Sequence, residues 1–230
     1  MRFQHDEAIW RDFPALVPGL LYVEGISPEL DVKPGPFLAM ARERLAGAAE
    51  SAWPEIQAWR RAFAAQGLRP TQYRCASESL LRRLRREGDL PALHPLVDVC
   101  NAVSVAYAIP VAALDLERVA GDLTVGYATG AETYETFAGT VEHPDPREVV
   151  FADAEGFAHA RRWTNRQSGR SAIRPATSRA LVVAEALHAT GPADVAALVA
   201  DLAAALRSAG ADVVRTAILS AGEPGFDPGQ

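Results

Sequence analysis

The sequence predicts an α+β fold: a mixed β-sheet with helices packed on its outside. Three observations carry this. Between Pro95 and Gly139 an apolar stretch of helical period breaks at Pro110 and continues as extended segments around a Gly turn. Helical composition recurs at about 37–66, 77–87 and 192–208. Val149 to Ala152 and Phe157 to Ala160 are short β runs around Asp153–Gly156, the pattern of a hairpin.

In chain order, Val17-Pro18-Gly19 reads as an entry turn and Leu20 to Val23 as a strand. Ser27 to Pro36, with three Pro and one Gly, is a loop. Phe37 to Ala65 is helical and split at Pro54, with Gly67 suited to the left-handed residue after the second helix. Ser77 is the expected cap and Gly88 the expected stop of the next helix. Its Leu80, Leu81 and Leu84 share one side, opposite Arg82, Arg83, Arg85 and Arg86. Asp98 is the expected cap of the following helix, where Val99, Val103 and Ala106 recur at helical spacing beside Cys100 and Tyr107. Pro110 biases Ile109 toward extended geometry and ends it.

Leu123 to Ala128 and Phe137 to Val141 read as strands, and His143 to Pro146 as a Pro-rich loop. Arg161 to Arg170 is too polar for a core element and too rich in directional side chains for a plain linker. Thr177 to His188 reads as a helix or a strand–helix junction, with Glu185 inside its apolar run. Pro192 and Gly210 bracket a helix with the stripe Val195, Leu198, Val199, Leu202 and Leu206. Val213 to Leu219 is a last strand or a helix-packed segment, and Gly222 to Gln230 a disordered tail. The expected organisation is one domain over 1–221, with an N-terminal helical elaboration.

Composition narrows the function classes. Apolar residues make up 49% and charged residues 23%, an ordinary globular balance. No apolar run approaches the roughly 18 residues of a membrane span, and the N-terminus has no secretory core, so the expected compartment is the cytoplasm. Cys75 and Cys100 offer neither a disulfide framework nor metal spacing; they read as buried thiols. The five His form no metal-binding or triad pattern, and no Gly-rich phosphate loop occurs, so no metal or cofactor is expected.

Net charge is −6, which excludes indiscriminate nucleic-acid binding. The arginines nonetheless cluster: residues 69 to 88 hold six against two Glu, and residues 161 to 179 hold six with no acid. The first cluster reads either as a solvated helix face or, through Arg82, Arg83 and Arg86, as a phosphate contact to RNA. The second reads either as a surface loop whose Trp163 covers the core edge, or as a site that binds phosphate and stacks on a base.

Several residues in order carry a family resemblance: Asp98, Asn101, Pro110, Asp115, Leu116, Gly121, Val125, Ala128, Gly130, Glu132 and Gly139, then the turn Val149-Val150-Phe151-Ala152-Asp153-Ala154-Glu155-Gly156, then a Thr before an apolar run ending in Glu185. Over Pro95 to Glu185 the chain resembles the B3/B4 domain of the phenylalanyl-tRNA synthetase β subunit. That resemblance implies a B3/B4-like mixed-sheet domain. In the synthetase this domain hydrolyses tyrosine mis-attached to the phenylalanine tRNA. It implies here a free-standing protein that hydrolyses mis-acylated tRNA in trans, or a non-enzymatic module binding RNA or an amino-acid-like ligand. The pocket it implies holds Asn101, Asp115, Arg162, Trp163, Asn165, Arg166, Gln167, Ser168 and Glu185. By spacing alone, Glu185 reads instead as an exposed residue on the polar side of a helix.

Two departures bear on chemistry. Where the family has Q-P-L-H-A-F-D, this chain has Ile109-Pro110-Val111-Ala112-Ala113-Leu114-Asp115, with Ala112 in place of the His. The family's Gly-rich G-x-M-G-G loop falls near Arg162 to Arg166. If an ester is hydrolysed, Arg162, Asn165, Arg166 and Gln167 are the expected oxyanion donors, and Glu185 or Asp115 orients water or holds the substrate ammonium.

Overall fold

Local sequence rules set most of the elements, and the computed structural model describes residues 1–229. Strand β1 (Phe3–His5) runs into α1 (Glu7–Asp12), whose cap is Asp6, accepting from the Ala8 amide. Strand β2 (Val17–Glu24) follows, then α2 (Gly35–Gly47) and α3 (Pro54–Ala65), parted at Pro54, which opens α3 at a position where a missing N–H costs nothing. Helix α4 (Ala76–Glu87) stops at Gly88, which takes a left-handed φ of 80°. Helix α5 (Pro95–Tyr107) ends before Pro110 and leads into β3 (Val111–Asp115). Six short strands follow: β4 (Leu123–Tyr127), β5 (Tyr134–Glu135), β6 (Val141–Glu142), β7 (Val149–Asp153), β8 (Ala158–Arg161) and β9 (Arg166–Gln167). The chain closes with β10 (Arg179–Ala186), α6 (Gly191–Ser208), β11 (Asp212–Ile218) and β12 (Gly225–Phe226).

The strands form two main sheets. One has the order β12-β1-β4-β7-β8-β9 and is mixed, because β1 and β4 are parallel. The other, β11-β2-β10-β3, is antiparallel. Side chains alternate across a strand, so Leu181 and Val183 of β10 face one way and Val182 and Ala184 the other. The first pair shares a buried cluster with Leu20, Leu114, Phe3, Val125 and Phe151, which joins the two sheets. The second pair meets α5 and α6 through Val99, Val103, Val195 and Leu198. The architecture is α+β, with helices outside the sheets. Among the described residues no helix is long and apolar enough to cross a membrane.

Several sequence expectations are corrected. Val17-Pro18-Gly19 belongs to β2 and is no turn. Gly19 is needed there by packing, since a Cβ would come within 2.6 Å of Val195 and 2.7 Å of Val199 on α6. Ser77 lies inside α4, donating to the Ala108 carbonyl, and the cap position is Cys75. His94 caps α5 through Nδ1; Asp98 instead accepts from the Leu93 amide just before the helix. Phe137 to Val141 is mostly a tight turn closed by Gly139 N–H to the Thr136 carbonyl, with only Val141 in β6. The core of Thr177 to His188 is strand β10, not helix, because β2 pairs with it along its whole length and β3 pairs over Ala180–Ala184. The expected disordered tail is ordered at Gly225–Phe226, which pairs with β1 and buries Phe226, whereas Gln230 lies outside the described residues. Both thiols are buried as expected, and burial pushes them up to about 11 (Cys75) and about 12 (Cys100).

Candidate functional site

Glu185 sits two residues beyond Val183 on β10, so the pleat aims it into the space between the sheets. Its neighbour across β2 is Pro18, and its amide donates to the carbonyl of Pro110. The side chain is 2% exposed. A carboxylate there must be hydrogen-bonded, and two donors meet it. His5 Nε2 lies 2.7 Å from Oε1, and Trp163 Nε1 lies 3.1 Å from each oxygen. With Nε2 donating to the carboxylate, the other ring nitrogen, Nδ1, is buried without a partner among the described residues. Aromatic edges seal the cluster: Phe3 and Trp10 against His5, Phe13 and Trp59 against Trp163. Trp163 spends little of its acceptor's capacity, so Glu185 Oε2 keeps room for a further donor.

Trp163 reaches this place through an uncommon backbone. Arg162 and Trp163 have φ of 47° and 55°, the left-handed region that glycine adopts freely and other residues rarely. The turn is held at both amides: Arg162 N–H donates to Glu148 Oε1 and Trp163 N–H to the Val149 carbonyl, each at 2.7 Å. It sends the indole inward and leaves the Arg162 guanidinium over the Tyr73 ring, 4.6 Å from its centroid. This chain thus keeps a glycine-like conformation with Arg and Trp, where the resembled family has a Gly-rich loop.

Arg161 and Arg166 of this segment are paired with acids from β6 and from the turn before β7. Arg161, 4% exposed, grips Glu148 through Nε and Nη2 at 2.9 Å each and Glu142 through Nη1 at 2.6 Å. Arg166 also reaches Glu142, at 3.3 Å. Burial pushes the Glu148 carboxyl up, but Arg161, the Asp145 amide and Arg162 outweigh it and hold it below the usual carboxylate range.

A sheltered cavity of about 60 Å³ adjoins Glu185, walled by Pro110, Ala112, Val183, Trp163 and Arg166. It has room for a few waters or one small group. Thr164 also borders it, and its Oγ1 is buried without a partner among the described residues. Ala112, the position of the family's His, thus lies on this wall and offers no imidazole.

Of the expected site residues, the structure brings Trp163, Asn165, Arg166, Gln167 and Glu185 to this one cavity. Asn165 Nδ2 and Gln167 Nε2 are already engaged by the carbonyls of Arg74 and Ala113. Arg162 is turned away over Tyr73, and Ser168 Oγ donates to the Glu135 carbonyl. Asp115 is not in the cavity. It lies three residues past Ala112, so the pleat points it to the other face, where it accepts from Thr177 Oγ1 and the Glu117 amide. Asn101 lies on α5 and borders a different cleft. His5 was missed by sequence reasoning, although Phe3 and His5 alternate ahead of a helix cap. Among the described residues no three His, Cys, Asp or Glu are grouped to hold a metal ion.

The basic face of α4 is also changed. Arg82 and Arg85 flank Glu50, a fully buried carboxylate, at 3.5 Å and 3.0 Å, while Arg83 and Arg86 meet Glu87 at 2.7 Å and 2.6 Å. The four arginines are ion-paired, and Arg82 and Arg85 serve the fold. Arg85→Ala is expected to cost about 1–3 kcal/mol by leaving Glu50 underpaired, and Arg83→Ala less than about 0.5 kcal/mol. Urea unfolding measures both; equal costs would show that Glu50 does not depend on Arg85.

A model of the B3/4 domain matches residues 58–196, more than half of the chain. The phenylalanine–tRNA ligase beta subunit of Legionella pneumophila is 36% identical over 76 residues, covering 33% of this chain and 10% of that protein. That of Nitrobacter winogradskyi is 33% identical over 94 residues, covering 41% and 12%. The chain therefore spans about a tenth of the length of these curated relatives. A crystal structure of an N-terminal fragment of the phenylalanyl-tRNA synthetase beta subunit from Pyrococcus horikoshii aligns with a TM-score of 0.48 at 9% identity, covering 91% of this chain and 49% of that one.

Proposed function

The chain belongs to the B3/4 domain family, and from that premise we propose that it binds aminoacyl-tRNA in the cytoplasm and hydrolyses the ester of a mis-acylated tRNA in trans. The observation that carries this reading is Glu185, a buried carboxylate whose Oε2 keeps acceptor capacity beyond its shared bond from Trp163, beside a mostly apolar cavity. Such a site suits an amino-acid group that ends in a hydrogen-bond donor. At about 60 Å³ it takes one end of that group, the rest lying toward half-exposed Arg166. In the hydrolysis a water oxygen bonds to the ester carbon, the bond to the ribose oxygen breaks, one proton of the water passes to that oxygen, which leaves as a hydroxyl, and the other is released as the amino acid's carboxyl ionises. Thr164 Oγ1 and Glu185 Oε2 are the polar groups with capacity to hold the water or the ligand's donor.

A second reading, a binding module without hydrolysis, is favoured by Ala112 and by the commitment of Asn165, Gln167 and Arg166 to structural partners. One experiment addresses both. A panel of mis-acylated tRNAs is incubated with the protein and with Glu185→Gln, and ester half-lives are followed. Binding of amide-linked aminoacyl-adenosine analogues is measured in parallel. Faster loss of at least one ester, abolished in Glu185→Gln, is the expected result. Analogue binding without hydrolysis selects the second reading, and neither hydrolysis nor binding overturns both.

A further inference from the structure

On the α5 side of β3 lies a second, larger cleft of about 240 Å³, bordered by Leu93, His94, Asn101, Ala113, Phe137 and Ile173. Its scale is below the roughly 300–1,000 Å³ of pockets for drug-sized ligands and suits a single ring system. Phe137 stands at its border 74% exposed, an unusual place for an aromatic ring of that size. It is not on a loose loop. The turn beneath it is closed by Gly139 N–H to the Thr136 carbonyl and by a Thr136–Thr140 hydroxyl contact of 2.7 Å. The preceding Glu135 carbonyl accepts from both Gly169 N–H and Ser168 Oγ. Gly169 packs so closely under the turn that a Cβ would come within 2.7 Å of the Thr136 oxygen.

Two polar groups border the cleft. His94 is 7% exposed and uses Nδ1 to cap α5, so its Nε2 carries the proton; that nitrogen is buried with no partner among the described residues. Asn101 adds an amide that both donates and accepts, the group that reads the edge of an adenine-type base. A rigid exposed ring beside convergent polar groups is the arrangement on which unpaired bases stack.

We propose that this cleft binds an unpaired purine base of an RNA strand, stacked on Phe137 with its edge toward Asn101 and His94. The choice of RNA as the source of the base rests on the aminoacyl-tRNA reading. Gln167 borders both this cleft and the Glu185 cavity, so an aminoacyl group in one and a base in the other are neighbours. Because Arg161 and Arg166 are neutralised by Glu142 and Glu148, stacking rather than phosphate attraction carries the binding, and its salt dependence is shallow.

The test titrates the protein into 2-aminopurine riboside, whose fluorescence is quenched on stacking, with adenosine as competitor. Saturable quenching reversed by adenosine is expected. Phe137→Ala is expected to weaken it roughly 5- to 100-fold with Tm unchanged, because the ring is exposed. His94→Asn, which still caps the helix, and Asn101→Ala should also weaken it. Glu185→Gln should leave purine binding intact even where it removes aminoacyl binding, so failure of either reading is seen separately. Absence of saturable quenching up to millimolar protein, or full binding by Phe137→Ala, overturns the proposal.

Discussion

Glu185→Ala is expected to destabilise the protein by about 3–5 kcal/mol, because two buried donors, His5 Nε2 and Trp163 Nε1, would lose their acceptor at roughly 1–3 kcal/mol each. A packing void adds to this where the carboxylate stood. Glu185→Gln should cost about 1–2 kcal/mol, since its carbonyl oxygen still accepts one of the two bonds. Urea unfolding separates the variants, and a shift of midpoint at constant slope identifies a stability effect. A cycle of Glu185→Gln with His5→Gln should show a coupling of about 1 kcal/mol or more, as expected of direct partners. Near-equal, small costs for Ala and Gln would mean that the carboxylate does not organise this part of the core.

The second large effect lies at Glu148. Glu148→Ala takes two of the three carboxylate bonds from the buried Arg161 guanidinium and leaves it only the bond to half-exposed Glu142, a loss of about 3 kcal/mol, at the low end for one partner of a buried pair. It also removes the acceptor of the Arg162 amide, one of the two bonds that hold the left-handed turn. Trp163 is fully buried, so release of that turn should red-shift the tryptophan emission. Stability near wild type with unshifted emission would contradict this account.

The same carboxylate predicts a pH response, together with Asp153, His159 and His94. Burial pushes Asp153 up, but the Ala120 amide, His159 and the Phe157 amide outweigh it and hold it below its ordinary value. Burial lowers His159 despite the opposing pull of Asp153, and lowers His94. All four are depressed in the folded state, so on acidification the unfolded chain takes up protons first. Their contribution is full above the unfolded pKa and lost as pH falls. Tm is therefore expected to hold from pH 8 to about 6.5, fall as the histidines titrate, and fall again below about pH 4.5. A Tm constant down to pH 4.5 would show that the histidines contribute nothing.

Whatever depends on neighbours in the chain was legible in the sequence. Pro54 divides two helices and Gly88 stops a third because a missing N–H and a left-handed φ are properties of single residues. The stripe from Val195 to Leu206 marks α6, and the Asp153–Gly156 turn marks its hairpin, because each period spans only a few residues. Those rules could not say which donor Glu185 meets, since His5 lies 180 residues away and only the two sheets closing on one core unite them. Nor could they show that Arg161 faces Glu148 and Glu142, which made an acid-free stretch look like free cation. The helical reading of Glu185 failed for the same reason. A continuous apolar run suits a buried strand as well as a helix, and pairing with β2 and β3 decided the matter. Asp115 missed the cavity by the parity of a single strand. Backbone preference is a local energy and is readable from sequence. The partner of a buried charge is set by long-range register and sheet packing, and only the tertiary structure decides it.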